Sequence, residues 1–112
     1  MKKPDVVPLP RRPPRRSILA KRIAELVADG AFSYASNAFH SIDGPDIDLG
    51  DAMEVLTTGS IEGNITPGQS VGEWRCRMVG KTDKSTRRLA VVSIVIRDVH
   101  VFLISVAWEE AK

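Results

Sequence analysis

The hydrophobic period changes at Gly59, and this change constrains the fold more than any other feature of the sequence. Before Gly59, apolar residues recur at the three- and four-residue spacing of amphipathic helices. After it, runs of branched residues follow the two-residue spacing of strands. Helices that precede strands in this way are typical of an α+β domain, and 112 residues supply one core rather than two.

Three segments before Gly59 are predicted helices. The first has Ser17 as its N-cap and Gly30 as a left-handed stop. A second, short helix is predicted over 33–42. The third is predicted over 49–58, because Asp48 and Asp51 have the spacing of a capping box.

The residues after Gly59 contain four predicted strands, over 60–65, 73–81, 87–97 and 99–108. Connections this short cannot return a strand in the parallel direction, so neighbouring strands are predicted to be antiparallel. The expected fold is two or three helices packed on one face of a three- to four-stranded antiparallel sheet.

A proline- and arginine-rich arm over 1–16 is predicted to precede the single domain over 17–112. Its five prolines exclude a helix, and its six Lys or Arg against one Asp contrast with ten bases and thirteen acids in the rest of the chain. The arm could remain solvated, pack on its own domain, or contact a polyproline-reading domain, a nucleic acid or another acidic surface.

Two sheet faces separate when Ile96 is set opposite Val99 and Lys81 opposite Arg87. The first face is apolar almost throughout and is predicted to lie under the helices; it carries Trp74, Cys76, Met78, Ala90, Val92, Ile94, Ile96, Val99, Val101 and Leu103. The second is cationic at one end and aromatic in places; it carries Arg75, Arg77, Val79, Lys81, Arg87, Leu89, Val91, Ser93, Val95, His100, Phe102, Ile104, Val106 and Trp108. The second face is too apolar to stay bare, and its cations need partners. The arm, a second copy, a separate protein or a nucleic acid could cover it.

Several function classes lack the residues they need. No glycine loop with a trailing lysine is present, and two separated histidines with one cysteine predict no metal site. No cofactor is predicted. Cys76 and His100 fall on opposite faces, which excludes them as a nucleophile pair. Prolines and arginines follow the basic N-terminus and exclude a secretory leader, and no apolar run is long enough to span a bilayer, so a cytoplasmic protein without membrane contact is predicted.

Four segments carry a resemblance to a known family: F-S-Y-A-S-N-A-F-H-S-I-D (32–43), D-L-G-D-A-M-E-V-L-T-T-G-S-I-E (48–62), W-R-C-R-M-V-G-K-T (74–82) and L-A-V-V-S-I-V-I (89–96). They look similar to small bacterial domains related to the RelE/ParE-like toxins. The order of helices followed by strands that end in D-V-H-V-F-L-I-S also resembles the MqsR messenger-RNA interferases. The resemblance covers residues 18–110.

The resemblance implies the toxin of a toxin–antitoxin pair, a metal-independent endoribonuclease that cleaves messenger RNA and binds a cognate antitoxin protein. In such enzymes the ribose 2′-hydroxyl attacks the adjacent phosphate on the sheet face away from the helices, where cations stabilise the charge. The residues matched to this chemistry are catalytic His100, Arg77 and Lys81, with His100 as proton carrier, and RNA-binding Arg75, Arg87, Phe102 and Trp108.

This chain departs from both families. Asn37 precedes Ala38, where the uncharacterised domains commonly have a histidine, and no tyrosine follows Tyr34, although the interferases use a tyrosine in their later strands. The alternative hypothesis is therefore a non-catalytic binding module, whose second sheet face docks a protein partner or a second copy as a homodimer.

Overall fold

The computed structural model describes residues 13–39, 47–82 and 85–109, without the side chains of 85–87. Its elements are α1 (Arg16–Ala28), β1 (Phe32–Tyr34), α2 (Leu49–Thr58), β2 (Ser60–Pro67), β3 (Glu73–Thr82), β4 (Ser85–Ile96) and β5 (His100–Trp108). The strands form one sheet in the order β1-β5-β4-β3-β2, and the helices pack on one face of it. The α+β class is confirmed, but the sheet is five-stranded and mixed, not three- to four-stranded and antiparallel. Residues 1–12 of the predicted arm lie outside the described residues.

The ends of α1 agree with the prediction at one end only. The N-cap is Arg15, whose side chain makes no capping bond, and Ser17 lies inside the helix. Pro13 and Pro14 cannot continue a helix upstream, and α1 starts soon after them. At the other end, Gly30 has a φ of 78°, and its N–H donates to the carbonyl of Val27 at 3.0 Å, as in a Schellman motif.

The capping box of α2 is confirmed. The backbone N–H of Asp51 donates to the carboxylate of Asp48 at 3.0 Å, and the backbone N–H of Asp48 donates to the carboxylate of Asp51 at 3.0 Å. Two N–H groups that would lack an intrahelical partner are satisfied, and this sets the start of α2 at Leu49.

The second predicted helix is wrong where the structure describes it. Phe32–Tyr34 forms β1, parallel to β5, and a turn follows over 36–39; residues 40–42 lie outside the described part. The N–H of Val101 donates to Ala31 O at 3.0 Å, and the N–H of Ala35 donates to Leu103 O at 3.0 Å. A helix here would leave this edge of β5 unpaired, so pairing with a distant strand overrides the local preference.

The strand registers differ from the predicted ones by one residue at two places. Lys81 pairs with Arg88 rather than Arg87, and Ile96 pairs with His100 rather than Val99. Arg97 and Asp98 both have a positive φ, but Val99 also belongs to the turn, which leaves its side chain 64% exposed. The face assignments of β4 are therefore reversed, because a one-residue shift exchanges the two sides of a strand.

The core lies between the helices and the reversed face of β4. The strands supply buried side chains to it from β3, β4 and β5: Cys76, Met78, Leu89, Val91, Val95, Val101, Leu103, Val106 and Trp108. Four residues predicted for this face, Ala90, Val92, Ile94 and Ile96, instead lie on the opposite side. Val106 and Trp108 join the core because an irregularity between Val92 and Ser93 shifts the second half of β5. No described helix is both long and apolar enough to span a membrane.

The backbones of α2 and the sheet approach closely at two glycines. A Cβ on Gly59 would lie 2.6 Å from the carbonyl oxygen of Val79 and 2.7 Å from that of Val55. A Cβ on Gly80 would lie 3.2 Å from Gly59 Cα. The absence of these methyl groups lets α2 pass directly into β2 against β3, which brings Val55 and Leu56 into the core.

Gly59→Ala is expected to destabilise the fold by about 1–3 kcal/mol, because the new methyl group meets backbone atoms that cannot rotate away. Urea unfolding followed by circular dichroism measures the loss. Ser60→Ala, at the next and exposed position, is the matched control and should remain within about 0.5 kcal/mol of wild type. Equal stabilities for the two variants would contradict the close approach.

Candidate functional site

The outer face is the side of the sheet that points away from α1 and α2. Of β3, it carries Arg75, Arg77, Val79 and Lys81, as the sequence predicts. Of β4 and β5, the register adds Arg88, Ala90, Val92, Ile94, Ile96, His100 and Phe102. Cationic residues of β3 therefore do share one surface, but their new neighbours change what this surface can bind.

An ion network occupies one end of the outer face and consists of Glu62, Arg77, Arg88 and Glu109. Glu62 is the direct cross-strand partner of Arg77, and Glu109 follows β5. Each carboxylate contacts both guanidinium groups. Two positive and two negative charges meet, so the network is neutral as a whole.

The contacts of the network are close. Arg77 lies 2.9 Å from Glu109 and 3.6 Å from Glu62. Arg88 lies 3.4 Å from Glu109 and forms a hydrogen bond with Glu62. The pKa of Arg88 is raised, chiefly by its hydrogen bond to Glu62. Desolvation lowers this pKa and the negative charges of Glu109 and Glu62 raise it, so the guanidinium stays charged.

Val79 lies beneath this network. It occupies the outer-face position between Arg77 and Lys81, yet only 2% of its surface is exposed, and it does not belong to the core on the helix side. The aliphatic stems of the long side chains that meet around it can exclude water in this way. The network thus covers Val79 at one end of the outer face.

Arg75 and Lys81 are the exposed cations of β3, and neither forms an ion pair with another described residue. The side chain of Arg87 lies outside the described part of the structure. Arg88 takes the position opposite Lys81 that the sequence assigned to Arg87. The predicted phosphate-binding set therefore consists of two cations without an ion pair to a described residue, one compensated arginine, and Arg87, whose side chain is not described.

His100 lies at the other end of the outer face. Its Nε2 shares a hydrogen bond with the Ser33 hydroxyl at 2.8 Å. His100 pairs with Ile96, whereas Arg88 pairs with Lys81, and eight residues along β4 correspond to roughly 26 Å. The rows of His100 and Arg77 are separated by roughly 13 Å along the strands and two strand spacings across them. The three predicted catalytic residues share a face but do not reach a common phosphate.

The two predicted stacking residues separate. Phe102 lies half-buried on the outer face, directly opposite Ile94. Trp108 packs in the core and is 6% exposed, so the predicted position for base stacking is corrected. The irregularity at Val92 and Ser93 causes this, because it shifts Trp108 to the helix side of β5.

An apolar stripe runs along the middle of the outer face and consists of Val92, Ile94, Ile96 and Phe102. All four side chains are half-buried. They lie on the two adjacent strands β4 and β5, with Arg75 beside Ile94 and Arg77 beside Val92 on β3. No described helix or strand covers them, since both helices pack on the other side. An apolar surface of this kind, rimmed by charge, is typical of an interaction site.

Cys76 is buried in the core, on the face opposite His100, as predicted. Burial raises the pKa of its thiol to about 11, and a side-chain interaction with Ser93, its cross-strand partner, lowers it in part. The Cys76 thiol is not suited to act as a nucleophile, because a thiol with this pKa is protonated at neutral pH. The Ser93 hydroxyl is buried and has no oxygen or nitrogen partner in the described structure.

The residues whose contacts on the outer face the sequence does not predict are Glu62, Arg88, Glu109 and Ser33. Glu62 belongs to a predicted strand whose pairing with β3 was not deduced, and setting it opposite Arg77 would have shown the compensated charge. Ser33 was assigned to a helix that does not form. Among the described residues, no cluster of three or more His, Cys, Asp or Glu could hold a metal ion.

Comparisons of this chain with family models, with curated proteins and with solved structures found no match. The resemblance to RelE/ParE-like toxins and to the MqsR interferases therefore stays a prediction from the sequence. What can be said of function rests on the outer face.

Trp108→Ala is expected to destabilise the protein by about 3–5 kcal/mol, as for a large aromatic side chain removed from a core. Phe102→Ala, on the outer face, is the matched comparison and should cost about 1–2 kcal/mol, because a half-buried ring loses less apolar contact. Urea unfolding measures both. A smaller loss for Trp108→Ala than for Phe102→Ala would contradict the assigned faces of β5.

The Cys76 thiol predicts a loss of stability at alkaline pH. Below about pH 9 the thiol is protonated in both the folded and the unfolded chain. Between pH 9 and 11 only the unfolded chain ionises, because the folded pKa is about 11, so the free energy of unfolding falls as the pH rises, by about 2–3 kcal/mol in total. Cys76→Ala lacks this contribution, and its unfolding free energy should decline less over that range. Parallel declines in urea titrations at pH 8 and pH 11 would refute the assignment.

Proposed function

We propose that this protein is a non-catalytic binding module whose outer face docks an acidic, amphipathic segment of a partner protein. The observation that supports this most is the apolar stripe, which no described helix or strand covers. Arg75 lies beside it and Lys81 lies farther along the same face, and neither forms an ion pair with another described residue. Burial of the stripe would supply the favourable free energy, at about 25 cal/mol per Å² of apolar surface. Carboxylates on the partner would orient it against the cations.

Charge decides among the occupants that the sequence left open. A second copy would bring its own Arg75 and Lys81 into the same interface, and the repulsion of these like charges is unfavourable. The segment over 1–12 carries four Lys or Arg against one Asp, so it is basic as well. A partner with an apolar surface rimmed by Asp or Glu satisfies both the stripe and the cations. The cognate antitoxin that the resemblance implies would be a protein of this chemistry.

RNA fits this face less well than a protein does. Single-stranded RNA is bound by stacking of its bases on aromatic rings and by cations along its backbone. Phe102 is the one aromatic side chain of the stripe, and the rest of the stripe is aliphatic. The charges of Arg77 and Arg88 are compensated, and His100 is distant from both. Endoribonuclease activity therefore becomes an alternative outcome of the test.

The test uses a synthetic helical peptide with leucines on one face and glutamates on the other, here named the acidic peptide. Isotope-labelled protein is titrated with it, and backbone chemical shifts map the contact. We expect the shifts to concentrate at the apolar stripe and at Arg75. The same peptide with lysines for glutamates, and a single-stranded RNA, are the comparison ligands. Preferential binding of RNA, shifts on the helix side, or no binding of the acidic peptide at millimolar concentration would overturn the proposal.

Ile94→Asp is expected to weaken the binding of the acidic peptide by about tenfold or more, because it places a negative charge, like those of the peptide, in the centre of the stripe. Ile18→Asp is the matched control: it makes the same change at a side chain of α1 that is 59% exposed and lies on the helix side of the sheet, away from the stripe. Calorimetric titration measures both affinities, and circular dichroism verifies that both variants fold. Equal weakening by the two variants would argue against the stripe.

A further inference from the structure

Arg77 and Arg88 come from neighbouring strands but are not direct cross-strand partners. Arg77 pairs with Val92, and Arg88 pairs with Lys81, so their main chains lie about four residues apart along the sheet. Their guanidinium groups nevertheless meet, because two carboxylates are placed between them. Glu62 contacts Arg77 through Oε1 and Arg88 through Oε2. Glu109 contacts Arg77 through Oε2 and Arg88 through Oε1.

The two carboxylates are held differently. Glu62 lies within β2, and the antiparallel ladder places it opposite Arg77. Glu109 lies one residue beyond β5, and its backbone N–H donates to the carbonyl of Arg88 at 2.7 Å. Its carboxylate is held by the two arginines, at 2.9 and 3.4 Å. Glu62 thus lies inside a strand and Glu109 just beyond one, and the side chain of Glu109 can turn away without any change in the sheet.

We propose that Arg77 and Arg88 form a carboxylate-binding site, in which Glu109 occupies the place that a carboxylate of the partner protein takes on binding. This inference rests on the proposed function, since it names the part of the outer face that recognises the partner's acidic side chain. Arg77 adjoins the apolar stripe at Val92. A segment docked on the stripe would thus carry its rim carboxylates to the network.

The charge of the network selects a carboxylate over a phosphoryl dianion. With Glu109 turned away, two guanidinium groups and Glu62 leave one uncompensated positive charge. A carboxylate restores the neutrality of these groups, whereas a dianion would add a negative charge that only a cation outside the network, such as Lys81 opposite Arg88, could balance. The side chains are 25–42% exposed, and ion pairs of this exposure contribute little to stability. Exchange of one carboxylate for another is therefore feasible.

The first test uses the protein alone and does not depend on any peptide. Glu109→Gln keeps the size of the side chain and removes its charge. The Nε–Hε signals of Arg77 and Arg88 are followed by NMR during titration with sodium acetate at constant ionic strength. We expect the acetate midpoint of Glu109→Gln to be lower than that of wild type by roughly fivefold or more.

Glu25→Gln is the matched control for the first test. It removes the glutamate of another exposed ion pair, between Arg22 and Glu25 on α1, where Arg22 Nη1 and Glu25 Oε1 are 3.0 Å apart. It changes the net charge of the protein by the same amount as Glu109→Gln. Because Glu25 does not belong to the ion network, the acetate midpoint at Arg77 and Arg88 should equal that of wild type. An equal effect of both variants, or no effect of Glu109→Gln, would overturn the inference. Tighter binding of inorganic phosphate than of acetate by Glu109→Gln would overturn the preference for a carboxylate.

The second test measures the affinity of the acidic peptide for the wild-type protein and for Glu109→Gln. We expect the variant to bind the peptide more tightly by roughly threefold or more, because the competing carboxylate is gone. Replacement of all glutamates of the peptide by glutamines should abolish this gain. If the peptide binds wild type at the stripe but Glu109→Gln gains neither acetate nor peptide affinity, the inference fails and the proposed function stands. If Glu109→Gln binds acetate but neither protein binds the peptide, the proposed function fails, and with it the assignment of the site to a partner.

Discussion

The pairing of β3 with β4 determines the rest of this structure. Cys76 opposite Ser93 and Met78 opposite Val91 place one side of β4 under the helices, and every other assignment follows from that choice. β4 is apolar on both sides, so either side could form the core. A shift by one residue would bury Ala90, Val92, Ile94 and Ile96 instead and would bring Leu89, Val91, Ser93 and Val95 to the outer face. The apolar stripe exists because β4 has more apolar side chains than one core can take up.

The period of the sequence predicts the elements well, because each signal is local: the capping box of α2, the left-handed Gly30 and the alternation of β2 to β5 need only neighbouring residues. The register of β4 is not local. Its two sides differ chiefly at Ser93, a polar residue that indicates a solvent-facing side, yet the structure buries Ser93 without an oxygen or nitrogen partner. A buried hydroxyl whose described partner is only the Cys76 thiol costs up to about 1–3 kcal/mol, which the burial of Leu89, Val91 and Val95 on the same side can offset.

Two one-residue differences between the predicted and the observed register cancel in the first half of β5. In the second half, a separate irregularity changes which side chains face the core. The pairings of β3 with β4 and of β4 with β5 each differ from the prediction by one residue, so His100 and Phe102 still lie on the predicted face. The irregularity opposite Ser93 then transfers Val106 and Trp108 to the core. A β-bulge of this kind leaves no sequence signal here, since neither glycine nor proline marks it. The cationic patch on β3 was therefore predictable from the sequence. The burial of Trp108, the predicted stacking residue, in the core was not.

The ion network shows why a count of basic residues on one face does not identify a nucleic-acid site. Arg77 and Arg88 lie where the sequence places phosphate-binding cations, but β2 and the residue after β5 contribute a glutamate each, and the sum of charges of these four residues is zero. A neutral network attracts no polyanion over a distance, since long-range steering depends on net charge. It can still recognise an anion at contact, because a guanidinium pair that already holds two bridging carboxylates has the geometry to accept another in place of one of them. The same four side chains could therefore exchange one carboxylate for another at contact, while their zero net charge adds nothing to the attraction of RNA.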